Sequence, residues 1–337
     1  MQTRKLRDLE VSEIGMGCMG FSHGYGKIPE ERYSIDAIRA AYDYGCTFFD
    51  TAEGYGPNLE PQNMGHNEKI LGKAVKDFRS KVLLATKMTV PTDEAREKSA
   101  YPTIRRRLEA SLQRLQTDYV DLYYLHRVNP EVPVEDVAEV MGRLIDKGLI
   151  RGWGLSQVPV SIIARSQAVT PVSAVQNIYS MVERDCEDEV IPYCLENNIG
   201  VVPFSPIASG FLSGKVTVNT KFEEYDDVRK WVPQLTKENI AANQPILDVI
   251  SRFAAQKQAT NAQISLAWML HKYPNVVPIP GSKNRERILE NLGASAVSLS
   301  DKEFSDLEAA LNACVIHGHR GYDESQASNF MARGNRT

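Results

Sequence analysis

Four side chains that can hold or transfer a proton stand at or near the ends of short apolar segments. Asp50, Lys87 and His126 each end such a segment, and Tyr55 follows Asp50 in the next loop. A charged side chain buried at the end of a strand is costly unless it is paired. An acid, an ammonium, a phenol and an imidazole in these positions therefore indicate one shared site.

The chemistry available to this set is the protonation of an oxyanion as it forms on a carbonyl. A tyrosine has an ordinary pKa of about 10 and donates its proton poorly, but a nearby ammonium favours the phenolate and lowers that pKa. We therefore expect Tyr55 to be the proton donor, with Lys87 lowering its pKa and Asp50 neutralising Lys87. His126 would hydrogen-bond the substrate oxygen or the tyrosine.

Eight short apolar segments alternate with amphipathic helical patterns and supply the elements that would position this set. Strands buried on both faces read as nearly continuous apolar runs, and repeated strand–helix units place helices outside a parallel sheet. The predicted strands lie near residues 15–19, 47–50, 82–87, 120–126, 151–155, 172–176, 199–205 and 276–279. Eight units predict an α/β fold of the (β/α)8 TIM-barrel type, with a doubly wound open sheet as the alternative.

The sequence lacks a linker rich in proline, serine and glycine, so we expect one domain over residues 1–337. Its core would span about 3–312, with a C-terminal helix and a tail over 313–337. Residues around Asp8 predict an N-terminal β-hairpin that closes the barrel floor. The long loops 51–67 and 206–236 would line the catalytic mouth, where the loops after barrel strands lie.

Capping and turn residues predict where helices begin and end. Pro133 starts a helix that Gly148 follows, and Pro159 opens the next helix. Ser300 and Glu303 form a capping box ahead of a further helix. These assignments follow from the missing N–H of proline, from the conformational freedom of glycine and from reciprocal capping.

Composition excludes several classes of protein. The 337 residues carry 39 Lys and Arg and 43 Asp and Glu, a formal net charge of −4, whereas a nucleic-acid binder needs a basic face. The sequence has no apolar stretch of about 18 residues and no N-terminal signal pattern, so we expect no membrane partner and a cytoplasmic location. Its five cysteines form no Cys-x-x-Cys pair and fit reduced thiols.

Two patterns could suggest other sites. Cys314, His317 and His319 lack a fourth ligand at regular spacing, so we predict no metal centre. Gly15, Gly17 and Gly20 match the G-x-G-x-x-G pattern of dinucleotide-binding folds, but that site needs a helix to open directly at the glycines. Here the next helical pattern starts near residue 29, so we interpret the glycines as a first strand and turn.

Longer stretches of the sequence, in order over residues 3–312, resemble the aldo-keto reductase family. The matching segments are 45–56, 67–74, 85–87, 112–127, 152–156, 176–180, 204–206 and 279–283. The variants at 125–127 and 278–283 look most similar to the perakine-reductase-like branch and related microbial and plant members. The resemblance implies a (β/α)8 barrel that reduces a carbonyl by hydride transfer from NADPH. The family's catalytic tetrad maps onto Asp50, Tyr55, Lys87 and His126.

The resemblance also implies a binding site for NADPH or NADP+. Its nicotinamide end would use Ser156, Gln157 and Gln176, with Phe204 stacking on the ring, and its pyrophosphate would lie against Ser205, Pro206, Gly210 and Leu212. The 2′-phosphate would meet Ser282, Lys283 and Arg287, and the adenosine would meet Glu290 and Asn291. A helix start near Arg285 independently favours an anion there.

The substrate is expected to be a small carbonyl compound, with Phe21, Tyr25, Met88 and Trp231 as candidate apolar walls. The run 105–107 has no role in the family pattern and is interpreted as a solvated helix face. The alternatives are an NADP(H)-binding regulatory or redox-sensing subunit with little turnover, and a barrel hydrolase that uses carboxylates or a metal. Neither the individual substrate nor the oligomeric state follows from the sequence.

Overall fold

The computed structural model describes residues 1–92, 100–223 and 225–320. Residues 321–337 of the predicted tail lie outside the described residues. The strands in the described ranges are β1 (Thr3–Leu6), β2 (Leu9–Ser12), β3 (Met16–Gly17), β4 (Phe48–Asp50), β5 (Leu83–Met88), β6 (Val120–Leu125), β7 (Ile150–Ser156), β8 (Ala174–Gln176) and β9 (Gly200–Val201).

Helices separate the strands of the sheet. Those in the described ranges are α1 (Glu31–Asp43), α2 (His66–Val75), α3 (Ala100–Leu115), α4 (Val134–Asp146), α5 (Val160–Gln167), α6 (Val190–Glu196), α7 (Lys237–Ala242), α8 (Gln244–Lys257), α9 (Asn261–Lys272), α10 (Arg285–Leu292) and α11 (Asp301–Asn312). The predicted caps are present, because Pro133 and Pro159 are the N-caps of α4 and α5. Ser300 and Glu303 form the capping box of α11.

The sheet has seven parallel strands, β3 to β9, hydrogen-bonded in the order of the chain. Its register brings the carboxyl ends together, since Asp50 pairs with Ala85 and Leu125 with Met88. Strands that pair in sequence order, each followed by a helical crossover, form the wall of a barrel. This confirms the (β/α)8 prediction over the doubly wound alternative.

The place of the eighth strand is taken by an extended segment, 276–281, that joins the two edges of the sheet. Val276 bridges Val201 of β9, and Gly281 bridges Gly17 of β3, both in parallel sense. The segment differs from the regular strand that we predicted because Pro278 and Pro280 have no N–H. Their carbonyls still accept hydrogen bonds from the N–H groups of Gly15 and Gly17, at 2.9 and 3.4 Å.

The predicted N-terminal hairpin is formed by β1 and β2, which pair antiparallel. Leu6, Leu9 and Val11 of the hairpin belong to the apolar cluster inside the barrel, together with Phe48 and Tyr124. Gly200 at the start of β9 allows this approach, because a Cβ there would lie 2.2 Å from Leu6 Cδ2. The hairpin therefore fills the floor of the barrel, at the amino ends of the strands.

Two arginines of the hairpin bind the backbone around this floor. Arg4 donates to the carbonyls of Tyr273 and Val276, at 2.6 and 2.8 Å, and also to that of Leu270. Arg7 donates to the carbonyls of Val172 and Asn197, at 2.9 and 3.1 Å, and to the side chain of Gln167. Each guanidinium thus supplies donors to carbonyls near the ends of helices or strands, which would otherwise need other partners.

The glycine-rich segment after β2 forms no dinucleotide-binding helix. Gly17 ends β3, a single 3-10 turn covers Met19–Phe21, and α1 starts only at Glu31. The interpretation as a first strand and turn is confirmed. Among the described helices, none has both the length and the apolar character needed to cross a lipid bilayer.

Candidate active site

The four side chains predicted to act together meet at the carboxyl ends of β4, β5 and β6. Asp50 is the last residue of β4, Lys87 lies near the end of β5, and His126 directly follows β6. Tyr55 comes from the loop after β4. Asp50 and Lys87 are almost fully buried, so both charges depend on protein partners.

The ammonium of Lys87 is the centre of the group. Its Nζ forms an ion pair with Asp50 and donates to the carbonyl of Thr51 at 2.8 Å and to the Tyr55 hydroxyl at 3.2 Å. The other oxygen of Asp50 accepts from Nε2 of Gln176 at 2.8 Å. Three acceptors thus surround the ammonium, and one of them is the phenol whose proton the chemistry requires.

Tyr55 and His126 face each other across the site. Their ring centroids are 5.7 Å apart with an interplanar angle of 82°. Lys87 Nζ also lies 4.9 Å from the centre of the Tyr55 ring. The phenol hydroxyl and the imidazole therefore flank one space, where a carbonyl oxygen could contact both.

Burial controls the protonation of these groups. It raises the pKa of Tyr55 above its ordinary value, although the Lys87 ammonium opposes the rise. Lys87 acts to lower this pKa, as expected, but the net shift is upward because burial disfavours the phenolate more strongly and the charge of Asp50 acts in the same direction as burial. Tyr55 is thus a protonated phenol at neutral pH.

The other three groups follow the same competition. Burial raises the pKa of Asp50, against the Lys87 ammonium and the Gln176 amide. Burial acts to lower the pKa of Lys87, but Asp50 and Tyr55 outweigh it and hold the pKa above its ordinary value. Burial, with the charges of Arg127 and Lys87, lowers the pKa of His126 well below its ordinary range, so the imidazole is neutral.

The loop that carries Tyr55 is fixed through Glu53, which is 3% exposed. Its side chain accepts from the N–H of Thr89 at 3.1 Å and from Arg107 Nη1 at 2.9 Å. Its backbone N–H donates to the carbonyl of Lys87 at 3.0 Å. The interpretation of 105–107 as a solvated face is therefore wrong for Arg107, whose side chain is only 15% exposed. Sequence periodicity gave no signal for this ion pair.

Two adjoining cavities open at the mouth of the barrel. The smaller, of about 250 Å³, is lined by Asp50, Tyr55 and His126 among others. The larger has a volume of about 370 Å³. Tyr25, Ser205 and Gly281 line both cavities, so the two spaces adjoin at these residues.

Most of the predicted cofactor residues line these cavities. The smaller cavity includes Ser156, Gln176, Phe204 and Ser205, and the larger includes Ser205, Pro206, Gly210, Ser282, Lys283, Arg287, Glu290 and Asn291. Gln157 and Leu212 line neither. Gln157 is exposed, and its Oε1 instead accepts from the N–H of Ile178 at 3.1 Å. Leu212 is fully buried in the apolar core.

Of the four residues predicted to form apolar walls of the substrate site, one lines the cavities and three do not. Tyr25 lines both cavities. Phe21 and Met88 are fully buried in the core between the sheet and the helices, so the structure does not place them at the mouth surface. Trp231 is 66% exposed and lines neither cavity.

The larger cavity contains cations that sequence reasoning missed. Lys215, Lys221 and Arg229 line it together with Lys283 and Arg287. Lys215 pairs with Glu290 across 2.6 Å. The length of the loop 206–236 had marked this region as functional, but it did not single out any of these three residues.

The start of α10 differs from the simple anion site expected there. Its N-cap Asn284 accepts from the N–H of Arg287 at 2.9 Å, and the N–H of Arg285 donates to the Tyr33 hydroxyl at 3.1 Å. Lys283 donates to the carbonyls of Tyr25 and Lys27, at 2.7 and 2.6 Å. These groups already have protein partners, so an anion would need to exchange with them.

Two loops join across the mouth. His23 Nδ1 lies 2.6 Å from Asp226 Oδ1, and Tyr25 forms an antiparallel bridge with Asp227. The N–H of Val228 donates to the carbonyl of Gly24 at 3.0 Å. The two loops thus meet beside the junction of the cavities, which Tyr25 lines.

Within residues 1–92, 100–223 and 225–320, no three or more His, Cys, Asp or Glu side chains are grouped so that they could hold a metal ion. Near the Cys314–His319 pattern, the backbone N–H and carbonyl of His317 bond to the side chain of Asn243, each at 2.8 Å.

Known proteins resemble this chain over most of its length. The model of the Aldo/keto reductase family matches residues 13–312. A protein from Glycine max described as "Probable aldo-keto reductase 1" is 36% identical over 318 residues, which cover 93% of this chain and 89% of that protein.

Solved structures resemble the whole fold. The glycerol dehydrogenase AKR11B4 from Gluconobacter oxydans is 25% identical with a TM-score of 0.81, over 96% of this chain and 97% of that chain. An aldo/keto reductase from Klebsiella pneumoniae, solved in complex with NADP and acetate, is 25% identical with a TM-score of 0.71, over 95% of this chain and 98% of that chain. This chain belongs to the aldo/keto reductase family.

Proposed function

We propose that this protein reduces an aldehyde or ketone to the alcohol with NADPH as the electron donor. The observation that carries the proposal is the position of Lys87 Nζ, in contact with both Asp50 and the Tyr55 hydroxyl, 3.2 Å away. This arrangement supports the proposal because Tyr55, as the proton donor, would lie beside a fixed positive charge. A neutral imidazole faces it across the cavity where the carbonyl would lie.

The two adjoining cavities fit a nicotinamide adenine dinucleotide phosphate. Five cationic residues line the larger cavity beside Ser282, a donor set suited to phosphates: Lys215, Lys221, Arg229, Lys283 and Arg287. The smaller cavity offers the ring of Phe204 for stacking and the polar side chains of Ser156 and Gln176. The Klebsiella pneumoniae relative, solved with NADP, supports the same cofactor here. The chemistry that NADPH supplies when bound is hydride donation from nicotinamide C4.

Tyr55 then donates its proton to the carbonyl oxygen as negative charge forms there. The raised pKa of Tyr55 keeps the phenol protonated before the reaction, and the adjacent Lys87 ammonium stabilises the phenolate that the transfer leaves behind. Asp50 keeps the ammonium in place. The lowered pKa of His126 keeps its imidazole neutral, so it is not the source of the transferred proton. It orients the carbonyl oxygen instead, by donating a hydrogen bond from a ring N–H.

The replacement Tyr55→Phe tests this role, because it removes the hydroxyl and keeps the ring. We expect kcat for NADPH oxidation with simple aldehydes to fall roughly 10²–10⁴-fold, while fluorescence titration shows NADPH binding retained. Tyr44→Phe, at a half-exposed position outside the site, is the matched control and should keep its activity.

Two outcomes would contradict the proposal. Full turnover by Tyr55→Phe would remove Tyr55 as the proton donor. Tight NADPH binding by the unaltered protein with negligible turnover across a broad panel of carbonyl compounds would favour the regulatory or redox-sensing subunit instead.

The remaining assignments are proposals of the same kind. We propose a single domain over residues 1–337, a cytoplasmic location, and a small carbonyl compound as the partner, without nucleic acid. Separate measurements of limited proteolysis, cell fractionation and nucleic-acid binding test each of them.

A further inference from the structure

Asn67 is buried where the loop that carries Tyr55 enters α2, and it joins three segments of the active site. It is 1% exposed and is the second residue of that helix. Its backbone N–H donates to the carbonyl of Tyr55 at 3.1 Å. Its side-chain Oδ1 accepts from the Thr51 hydroxyl at 2.6 Å, and its Nδ2 donates to the carbonyl of Cys18 at 2.9 Å and to the Ser22 hydroxyl at 2.8 Å. The proton transfer described above does not use this amide.

The side-chain amide of Asn67 can take only one orientation. A backbone carbonyl only accepts hydrogen bonds, so the group that faces the Cys18 carbonyl must be the NH2. The amide oxygen then faces the Thr51 hydroxyl, which donates to it. The Ser22 hydroxyl continues the chain of hydrogen bonds and lies 2.9 Å from His66 Nδ1. A buried polar network whose members all have partners is rigid, so this amide fixes the three segments relative to one another.

Each of these segments carries a part of the active site. Thr51 directly follows Asp50, and its carbonyl accepts from Lys87 Nζ at 2.8 Å. The turn between Cys18 and Ser22 forms part of the wall of the smaller cavity. One buried amide thus joins the group that holds the ammonium to the wall of the space where the carbonyl would lie.

The position of Tyr55 depends on anchors on both of its sides. Glu53 holds the loop two residues earlier, whereas Asn67 binds the carbonyl of Tyr55 itself, and residues 60–62 between Tyr55 and α2 are exposed. The Tyr55 hydroxyl lies 3.2 Å from Lys87 Nζ, at the long end of the range for such a hydrogen bond. A small shift of the loop would therefore break this contact, and a misplacement of about 1 Å can cost roughly 10²-fold in rate.

We propose that Asn67 is a positioning residue for the proton transfer, because it holds Tyr55 in register with Lys87 and with the wall of the smaller cavity. Asn67 does not line that cavity, so it acts through Tyr55 and not by contact with the substrate. The inference rests on the proposed reductase function and deepens it, because it names a further residue of the same site.

The first test replaces Asn67 with leucine, which has a similar volume and forms no side-chain hydrogen bond. With NADPH and 4-nitrobenzaldehyde, Asn67→Leu should lower kcat about 10- to 100-fold, while a fluorescence titration shows an unchanged Kd for NADPH. Asn243→Leu is the matched control and should keep its kcat. Asn243 is also fully buried, and its side chain exchanges two hydrogen bonds with the backbone of His317, outside the lining of both cavities.

A double-variant cycle shows whether Asn67 acts through Tyr55. In the Tyr55→Phe background no phenol remains to be positioned, so adding Asn67→Leu should change kcat by less than about 2-fold. The solvent deuterium isotope effect on kcat is a second readout, because a displaced proton donor makes proton transfer slower. It should rise in Asn67→Leu and stay unchanged in Asn243→Leu. An equal fold-loss of kcat in both backgrounds, or an unchanged isotope effect, would make the role of Asn67 structural and overturn the inference.

Thr51 provides a milder pair of variants if Asn67→Leu folds poorly. Thr51→Val keeps the shape of the side chain and removes only the hydroxyl from which Asn67 accepts. The kcat should then fall about 2- to 10-fold, the fold-change that corresponds to one net hydrogen bond. Thr51→Ser retains the donor and should recover most of this loss. Full turnover by Thr51→Val, or an equal loss in Thr51→Ser, would also overturn the inference.

Failure of the reductase function would give a different result. If the unaltered protein oxidises NADPH with no carbonyl compound, the proposed function fails and this inference fails with it. If the unaltered protein turns over and Asn67→Leu keeps its full kcat, only the inference fails.

Discussion

The floor and the mouth of this barrel each bury or half-bury cationic side chains, but they give them different partners. At the floor, Arg4 donates to three backbone carbonyls, which neither titrate nor move far. At the mouth, Lys87 contacts a carboxylate, a carbonyl and a phenol. Carbonyl partners make a cation structural, whereas an ionisable partner lets the same kind of charge assist a proton transfer.

The largest effect is expected at the mouth, for Lys87→Met. Loss of the ammonium should lower kcat roughly 10²–10⁴-fold and should lower the free energy of unfolding by about 3–5 kcal/mol, because Asp50 is left buried without its ion partner. Steady-state NADPH oxidation and urea denaturation measure the two effects.

The double variant Asp50→Asn/Lys87→Met separates them. Removing both charges should restore much of the stability and none of the activity. Recovery of turnover in the double variant would mean that the ion pair is structural, and the contrast between the mouth and the floor would fail.

The next effect is expected at the floor, for Arg4→Ala. Three carbonyls lose a charged donor, so the free energy of unfolding should fall by about 2–4 kcal/mol. The kcat should stay close to that of the unaltered enzyme. Lys5→Ala, at an exposed position on the same strand, is the control for the loss of charge. A large loss of kcat in Arg4→Ala without a loss of stability would contradict the division of roles.

A smaller effect is expected for Gln157→Ala. This residue lies at the mouth, but its side chain bonds to the backbone, as the arginines at the floor do. Its side chain accepts from the N–H of Ile178 and lines neither cavity. The replacement should cost about 0.5–1.5 kcal/mol of stability and leave the Kd for NADPH unchanged. Gln176→Ala, within the smaller cavity, should weaken NADPH binding. A higher Kd in Gln157→Ala would restore its predicted role at the carboxamide.

The smallest effect concerns pH. The pKa of His126 is lowered, so the imidazole becomes protonated only at a pH below the ordinary histidine value of about 6.5. The pKa of Tyr55 is raised, so the phenol loses its proton only at a pH above the ordinary tyrosine value of about 10. The kcat for reduction should therefore show no ionisation step between these values, and should fall only above the upper one. A step near pH 6.5 that disappears in His126→Gln would contradict the neutral imidazole.

The sequence predicted the barrel and the convergence of the four side chains at its mouth because both depend on local patterns. Short apolar segments mark buried strands, and a polar residue at the end of each one marks the mouth. Asp50, Lys87 and His126 could be assigned in this way, since each belongs to its own strand end. The caps of α4 and α11 follow from two or three neighbouring residues in the same manner.

The parts that the sequence did not predict depend on contacts between distant segments. Arg107 of α3 meets Glu53 in the loop after β4, and Arg320 reaches Ser209 across more than a hundred residues. The net direction of the Tyr55 pKa shift could not be predicted from the sequence for a related reason. It depends on how deeply the whole fold buries the phenol, which no local pattern records.

The proline-containing segment 276–281 has a consequence for how ligand binding can be observed. Among the described residues, the N–H groups of Val277 and Ile279 donate to the carbonyls of Val201 and Pro203 on one side. On the other side, the carbonyls of Pro278 and Pro280 accept from Gly15 and Gly17. This seam has fewer hydrogen bonds than a regular strand pair would provide. The chain continues from it directly into Gly281, Ser282 and Lys283, which line the larger cavity. Saturating NADPH should therefore slow hydrogen exchange at the Gly15 and Gly17 amides, making those two amides local reporters of cofactor occupancy.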